Sequence, residues 1–325
     1  MSSSLSRYHN WIEAEISKQK YGEAPASLYE PIRYLMGLGG KRLRPMLTLL
    51  SYSLFRSDAK RIVKYAVAVE AFHNFTLMHD DIMDKAPLRR GKATVHEKWN
   101  VSTAILSGDV MLVKVYDMLL SIEASKLRRV YSAFNKCAAE VCEGQQWDME
   151  FEEKAAVSEE EYLQMIKLKT AVLLGFSLEF GAILAGASDK DCKALREFGT
   201  NIGIGFQLKD DLLDAYGDPK KFGKQVGGDI VANKKTFLLI KALEHAKGQV
   251  KRELHGWLAL RKLRNADKVS AITRIYDALG IHSIADKKID HYFKKGFAKL
   301  NALSCSPKRS AELRQFAESL IERQS

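Results

Sequence analysis

Hydrophobic residues along the chain recur at the spacing of α-helices. Val63, Ala66, Val67 and Ala71, for example, follow steps of three and four, which gathers them on one helical face. Alternation with a period of two never lasts long enough to predict a β-sheet. Turn-forming residues interrupt the helical pattern at positions 37–40, 87–91, 186–188, 217–219 and 223–228. The segments between these turns are long enough for ordinary helices, and many of them are apolar on most faces, as in the interior of a helical bundle.

Composition agrees with a helical protein. The 325 residues include only 6 prolines, so helix breakers are rare. Apolar residues make up 46% of the chain, enough for a sizeable core, and charged residues make up 28%. No linker rich in Pro, Gly or Ser divides the sequence. We therefore predict an all-α fold, a single large helical bundle forming one domain over residues 1–325.

The sequence favours a cytoplasmic protein without a transmembrane segment. The N-terminus lacks the apolar run of a signal peptide. The most apolar stretch, 170–187, carries Glu179 near its centre, which favours a buried helix over a membrane span. The 4 cysteines show no C-x-x-C spacing, so a zinc finger or a disulfide scaffold is not expected.

Positive charge is concentrated near the C-terminus. The formal net charge is +11, and residues 246–325 hold 17 Lys and Arg against 8 Asp and Glu. A solvated basic surface explains this best, although a weak contact with an anionic membrane surface is also compatible with it. Because no recognised nucleic-acid motif accompanies the charge, we expect no nucleic-acid partner.

The pattern Asp-Asp-x-x-Asp occurs twice, as DDIMD at 80–84 and DDLLD at 210–214. Clustered carboxylates repel each other, and burial makes the repulsion worse. An exposed acidic patch is the ordinary explanation for one such motif, but both motifs here lie in apolar surroundings. We therefore predict bound cations, and specifically Mg²⁺, which prefers hard oxygen ligands and joins one or two carboxylates to substrate phosphates.

Each motif has basic neighbours. On a helix, Asp80 and Asp84 share one face with Asp81 beside them, and His73 lies two turns earlier on that face. The turn that follows the first motif carries Arg89 and Arg90. The second motif extends a helical face that holds Gln207, Asp210, Asp211 and Asp214. The glycine-rich loop behind it contains Lys224, Lys234 and Lys235.

A third cationic segment, GLGGKRLRP at 37–45, places glycines before Lys41, Arg42 and Arg44. We predict a flexible cationic loop there, and not a P-loop, because the required spacing and the preceding strand are missing. Two acidic faces, several basic loops and a large apolar interior suit a substrate with a polyanionic head and an apolar tail. A diphosphate held by Mg²⁺, Arg and Lys is the natural head group.

These motifs together resemble the trans-isoprenyl diphosphate synthases, the polyprenyl synthetase family that includes farnesyl and geranylgeranyl diphosphate synthases. The resemblance covers nearly the whole chain and includes GGKRLRP, RRG, the dipeptide Lys169–Thr170, FQLKDDLLD and FGKQVGGDIVANKKT. It implies an isoprenoid-synthase bundle around a deep central cavity, usually in a homodimer. It also implies condensation of isopentenyl diphosphate with an allylic diphosphate (dimethylallyl, geranyl or farnesyl) through an allylic carbocation.

The resemblance also implies roles for individual residues. The metal set, expected to hold three Mg²⁺ on the allylic diphosphate, comprises Asp80, Asp81, Asp84, Asp210, Asp211 and Asp214, with Asp211 behind the direct ligands. Contacts to the same diphosphate are expected from Arg89, Lys169, Lys224 and Lys234. The residues expected near the reacting carbons are Thr170 and Gln207. Isopentenyl diphosphate is expected to bind Lys41, Arg44, His73 and Arg90.

Product length is predicted from Phe75, five residues before Asp80 on the same helix. The growing tail should extend down this wall, so Phe75 would act as a floor, with Thr76 above it and Phe72 as the next stop. In the family, an aromatic residue at this place marks short products. We therefore predict C15 to C20, with C20 favoured. The alternative is that Phe75 is simply a core residue.

Three other functions remain open at this stage. A class I terpene cyclase shares one such aspartate motif, but its second metal motif normally has a different composition, and it would have no use for GGKRLRP. A non-catalytic subunit of a prenyl synthase typically loses aspartates, whereas all six are present here. A basic nucleic-acid binder is the third. A magnesium-dependent assay of diphosphate release from two prenyl substrates separates them.

Overall fold

The computed structural model describes residues 3–217, 226–260 and 264–321. Regular structure in these ranges is almost entirely helical, which confirms the all-α prediction. The helices are α1 Ser3–Lys18, α2 Ala26–Gly37, α3 Leu43–Ser53, α4 Val63–Met83, α5 Val95–Lys98, α6 Val101–Leu120, α7 Ala124–Glu153, α8 Glu159–Ile166, α9 Val172–Ala185, α10 Asp189–Tyr216, α11 Gly228–Val231, α12 Phe237–His245, α13 Gly248–Ala259, α14 Asn265–Ala278, α15 Ile281–Asn301 and α16 Pro307–Ile321. A 3₁₀ turn at Ala59–Ile62 precedes α4, and a π-helical turn at Lys167–Ala171 joins α8 to α9.

The chain forms two compact units. The first unit comprises Met1–Asn135 and Phe176–Lys193, and the second unit comprises Lys136–Gly175 and Ala194–Ser325. That residues 1–325 act as one domain stays a prediction.

Helix α4 forms the centre of the first unit. It packs mainly against α6 and α3 and is buried on most of its faces, as its apolar sequence predicts. On α3, the Thr48 hydroxyl donates to the Ser177 carbonyl at 3.0 Å, and the Ser51 hydroxyl donates to the Leu178 carbonyl at 2.5 Å. A Cβ on Gly181 would lie 2.2 Å from the Thr48 carbonyl oxygen. Small residues therefore let α3 and the later part of α9 pack backbone to backbone.

The apolar stretch around Glu179 is a core helix. The continuous helical segment Glu159–Ala185 is long and apolar enough to cross a membrane by length and composition. Of its most apolar 18-residue window, however, 83% is buried in the protein. A core helix meets the same criteria of length and hydropathy, and this burial agrees with the prediction of a buried helix.

A two-residue hairpin interrupts the helices after the first aspartate motif. Leu88–Arg89 pairs antiparallel with Lys92–Ala93. The turn residues Arg90 and Gly91 have φ angles of 52° and 73°, as a type I′ turn requires. A strand of two residues is too short to produce a recognisable period-two pattern in the sequence. The hairpin fixes the direction in which the two adjacent arginines leave the backbone.

Candidate active site

Three of the predicted isopentenyl diphosphate residues, His73, Arg44 and Arg90, lie near one another in the first unit. His73, on α4, is half-buried. Burial lowers the pKa of His73 well below its ordinary value, and the positive charges of Arg44, Arg90, Arg89 and Arg42 lower it further. The imidazole is therefore neutral near pH 7 and lies within the field of several guanidinium groups. Such a concentration of positive charge is suited to a polyanion.

Arg42 departs from the prediction of a flexible cationic loop. It is 2% exposed, with Nε donating to Glu13 Oε1 at 2.7 Å and Nη1 donating to Glu70 Oε1 at 3.0 Å. Its Nη2 also donates to the Met36 carbonyl at 2.9 Å. The expectation that Arg42 contributes to an exposed cationic loop is therefore wrong. Its guanidinium pairs with the buried Glu70 carboxylate and the partly exposed Glu13 carboxylate, and it thereby anchors the backbone that carries Lys41 and Arg44.

The GGKRLRP segment contacts the hairpin through Arg90. The Arg90 guanidinium donates to the Gly39 carbonyl, and a Cβ on Gly40 would lie 2.9 Å from Arg90 Cζ. Gly40 also has a φ of 138°, which disfavours any side chain there. The backbone conformation therefore favours glycine at position 40, beside the Arg90 guanidinium.

The adjacent arginine binds the first aspartate motif. Arg89 Nε lies 2.8 Å from both Asp81 oxygens, and its Nη2 lies 2.6 Å from Asp81 Oδ1 and 3.6 Å from Asp80 Oδ2. Asp81 is 1% exposed. Burial raises the pKa of Asp81, although Arg89 opposes the shift. Arg89 and Arg90 therefore have different partners, and Asp81 is the member of the first motif whose carboxylate is buried against a cation.

Aromatic rings lie on α4 before the first motif. The Phe75 ring is 5.8 Å from Phe72 and 4.9 Å from His79, and the Phe72 ring is 5.1 Å from Phe134 on α7. Phe75 is 9% exposed and Phe72 is 1% exposed. The Thr76 hydroxyl donates to the His73 carbonyl at 2.8 Å. Phe75 is thus backed by a second aromatic layer in the first unit.

In the second unit, a chain of hydrogen bonds connects three of the predicted residues. Thr170 Oγ1 lies 3.4 Å from Gln207 Oε1, and Gln207 Nε2 donates to Asp211 Oδ1 at 3.2 Å. Tyr162 donates its hydroxyl to Asp211 Oδ2. Burial raises the pKa of Asp211 to about 7, with the Tyr162 hydrogen bond opposing the shift. Asp211 therefore orients the Gln207 amide from within the protein.

Two predicted diphosphate lysines share one carboxylate. Lys169 Nζ lies 2.6 Å from Asp148 Oδ2, and Lys234 Nζ lies 3.8 Å from the same oxygen. Lys169 and Thr170 belong to the π-helical turn, a conformation that is frequent at functional sites. A Cβ on Gly144 would lie 2.1 Å from the Lys169 backbone nitrogen. Only glycine lets α7 approach the π-helical turn this closely.

The second aspartate motif contacts the segment that carries Lys234. The backbone N–H of Asp229 donates to Asp214 Oδ2 at 2.9 Å. A narrow cavity in this unit is lined by Asp211, Asp214, Asp229 and Lys234, among other residues. Asp210, which lies on α10 with Asp214, is partly exposed. Lys224 lies outside the described residues.

Metal ligands are not preassembled in the described part of the chain. In residues 3–217, 226–260 and 264–321, no three His, Cys, Asp or Glu side chains form a cluster ready to hold a metal ion. Carboxylate oxygens are nevertheless the donors that Mg²⁺ prefers, and it usually takes only one or two of them together with substrate phosphates. The donor set of the two motifs therefore fits a metal that binds together with its substrate.

Comparison with known proteins assigns the chain to a family. The sequence profile of the family Polyprenyl synthetase matches residues 25–276. This chain belongs to that family. It is 38% identical to the geranylgeranyl diphosphate synthase of Methanosarcina mazei over 315 residues, covering 96% of this chain and 95% of the relative.

Solved structures of the family agree with the assignment. A crystal structure of a geranylgeranyl pyrophosphate synthase is similar with a TM-score of 0.92 and 42% identity, covering 99% of this chain and 98% of that one. The geranylgeranyl pyrophosphate synthase of Corynebacterium glutamicum, solved with isoprenyl diphosphate and magnesium, has a TM-score of 0.85 and 28% identity, covering 98% of each chain. The family resemblance inferred from the motifs is confirmed.

Sequence reasoning missed several residues that position the predicted ones. Asp148, Tyr162 and Gly144 belong to no spacing pattern, and nothing in the sequence alone connects them to Lys169 or Asp211. Asp229 directly follows the two glycines of the loop behind the second motif. Its position after these glycines was the one feature of the sequence that could have indicated a role for Asp229.

Proposed function

We propose that this protein is a short-chain trans-prenyltransferase that condenses isopentenyl diphosphate with allylic diphosphates. The observation that carries the proposal is the cluster of Arg44 and Arg90 around a neutral His73, which lies on the helix that bears the first aspartate motif. A second anionic head group explains this cluster. A terpene cyclase, which has one diphosphate substrate, would not need it, and family membership supports the synthase over that alternative.

We propose that isopentenyl diphosphate binds Lys41, Arg44, His73 and Arg90. Arg42 supports this subsite from beneath, because its hydrogen bonds hold the segment that carries Lys41. The neutral His73 ring can donate one N–H without adding another positive charge. The hairpin turn places Arg90 against Gly39, so both basic segments act on the same head group.

The allylic diphosphate is assigned to the acidic motifs and the remaining cations. Asp80, Asp84, Asp210 and Asp214 would supply direct oxygen ligands to Mg²⁺, with three ions per site. Asp81 was expected among the ligands, but because it is buried against Arg89 we propose that it orients the first motif from behind. Asp211, hydrogen-bonded to Tyr162 and Gln207, is proposed to do the same for the second motif. The basic contacts to this diphosphate would come from Arg89, Lys169, Lys224 and Lys234.

Ionisation of the allylic C–O bond requires stabilisation of the departing diphosphate. Bound Mg²⁺ supplies Lewis-acid stabilisation of the charge that develops there. Lys169 and Lys234 contribute fixed positive charge to the same oxygens. Thr170 and Gln207, oriented through Asp211, lie near the reacting carbons, where the isopentenyl double bond attacks the cation and the released diphosphate takes up the proton. Apolar walls exclude water, which would otherwise capture the cation.

Phe75 is proposed to limit the product to C15 to C20, with C20 favoured. The ring lies on α4 before Asp80, in contact with the Phe72 ring. Thr76 is too small to close the space above it. The relatives named as geranylgeranyl diphosphate synthases support the longer product.

A homodimer is proposed from the exposed face of α6. Leu106, Val113 and Leu120 are 57%, 57% and 58% exposed and lie seven residues apart, which places them on one stripe of the helix. A second copy of the chain would cover this stripe. Val113→Glu should shift the sedimentation coefficient towards the monomer, whereas Lys64→Glu on α4 should not. None of the 4 cysteines, all of which lie in the described ranges, forms a disulfide, and a reducing, cytosolic compartment is proposed on that basis.

The test of the activity is a magnesium-dependent assay with labelled isopentenyl diphosphate and each allylic starter in turn. The wild-type protein should release diphosphate and form C15 or C20 products. Asp80→Ala and Asp210→Ala should each abolish turnover while the helical circular dichroism spectrum is retained, because each removes a metal ligand. Near-normal turnover by either folded variant would overturn the metal assignment.

A further inference from the structure

One carboxylate in the second unit, that of Asp148, has no role in the proposed reaction. Asp148 lies near the end of α7, and its side chain is 13% exposed. Burial would raise the pKa of Asp148, but the charges of Lys234 and Lys169 outweigh burial and hold it below the ordinary value. The group is therefore an anion throughout the neutral pH range, in contact with two lysines assigned to the allylic diphosphate.

Close packing of the backbone around Asp148 brings Lys169 to its carboxylate. Gly144 lies four residues earlier on the same face of α7 and permits contact with the Lys169 backbone. This contact brings the π-helical turn, and hence the Lys169 ammonium group, to the Asp148 carboxylate. Lys169 comes from a rigid helical turn, and its contact of 2.6 Å is short and charge-assisted.

A second anchor brings Lys234 to the same carboxylate. The neighbouring Lys235 donates to the carbonyls of Phe151 and Glu152 at 2.5 Å and 2.9 Å, which satisfies carbonyl groups at the C-terminal end of α7. Lys235 therefore holds the loop against the helix that carries Asp148. The Lys234 ammonium group, whose side chain is 47% exposed, lies 3.8 Å from Asp148 Oδ2. This contact is looser than that of Lys169.

Resting on the proposed function, we propose that Asp148 is a positioning residue that holds Lys169 and Lys234 between turnovers and competes with the diphosphate for them. When the diphosphate leaves, the Asp148 carboxylate forms its ion pairs with the two lysines again. Asp148 thereby weakens the binding of the diphosphate product and speeds its release.

The variant that isolates the charge is Asp148→Asn, since the amide oxygen can still accept hydrogen bonds from both lysines. Removing a negative charge beside two cations that bind the diphosphate should tighten the binding of inorganic diphosphate about tenfold. Structural damage would instead weaken binding. Isothermal titration calorimetry with inorganic diphosphate at fixed free Mg²⁺ measures the effect on the full-length protein.

Two control variants separate the effect of the charge at position 148 from the effect of side-chain shape. Glu150→Gln removes an exposed carboxylate from the same helix and should leave the affinity within about twofold, because solvent screens that charge. Asp148→Glu keeps the charge and should stay within about threefold of the wild type. Combining Asp148→Asn with Lys169→Gln should remove most of the gain, since the carboxylate acts through that lysine.

The outcomes distinguish this inference from the proposed function. Tighter binding by Asp148→Asn, together with stronger inhibition of turnover by added inorganic diphosphate, supports the exchange of lysines. Equal or weaker binding by a folded Asp148→Asn protein overturns it while the prenyltransferase activity stands. If Asp148→Asn does not fold, a gain in affinity from Asp148→Glu would contradict the inference and wild-type affinity would support it. Failure of the wild-type protein to bind inorganic diphosphate would overturn the proposed function itself.

Discussion

Replacing Arg42 by methionine should strongly destabilise the protein. Methionine keeps much of the side-chain length but removes the donors to Glu13, Glu70 and the Met36 carbonyl. Glu70, with a side chain that is 2% exposed, would lose its cationic partner. Breaking a buried pair by removing one member costs about 3–5 kcal/mol, because a buried charge is left uncompensated.

Urea unfolding followed by circular dichroism measures the loss, and Arg61→Met provides the matched control. The Arg61–Asp58 pair is 3.2 Å long, but its side chains are 79% and 46% exposed, so its removal should lower the free energy of unfolding far less than the removal of Arg42. Adding Glu70→Gln to Arg42→Met should recover part of the loss, because the unpaired charge disappears. A loss below about 1 kcal/mol for Arg42→Met, or strictly additive losses in the double variant, would refute the reasoning.

Three further predictions concern product length, the packing beneath Lys169 and the two diphosphate subsites. Phe75→Ala should lengthen the main product by at least one isoprene unit, as measured by chromatography of the dephosphorylated products; an unchanged product from a folded variant would place the floor on another helix. Gly144→Ala should destabilise by about 1–3 kcal/mol and lower turnover, since its Cβ would overlap the backbone of Lys169; an unchanged thermal midpoint would contradict this. Arg90→Ala should raise the KM for isopentenyl diphosphate more than that for the allylic substrate, and Arg89→Ala should do the reverse; equal effects on both substrates would count against separate roles.

The helical fold class, and which side chains are neighbours within each acidic motif, follow from local sequence. Helical periodicity depends on neighbours three and four residues apart, so the all-α class could be predicted without tertiary contacts. The same periodicity places Asp80 and Asp84 on one face and aligns Gln207 with Asp211 and Asp214. Glycines followed by basic residues likewise indicate anion-binding loops. Each of these inferences concerns residues that are close along the chain, where backbone geometry alone decides which side chains are neighbours.

Tertiary structure decided which charges are neutralised inside the fold. Arg42 and Arg44 lie two residues apart in one basic segment, yet only burial against Glu13 and Glu70 identifies Arg42 as a structural cation. Asp148 looks like any other acidic residue of a long helix. Its pairing with Lys169 depends on the close approach that Gly144 permits. Contacts of this kind join segments distant in sequence through steric fit, and no periodic pattern encodes steric fit.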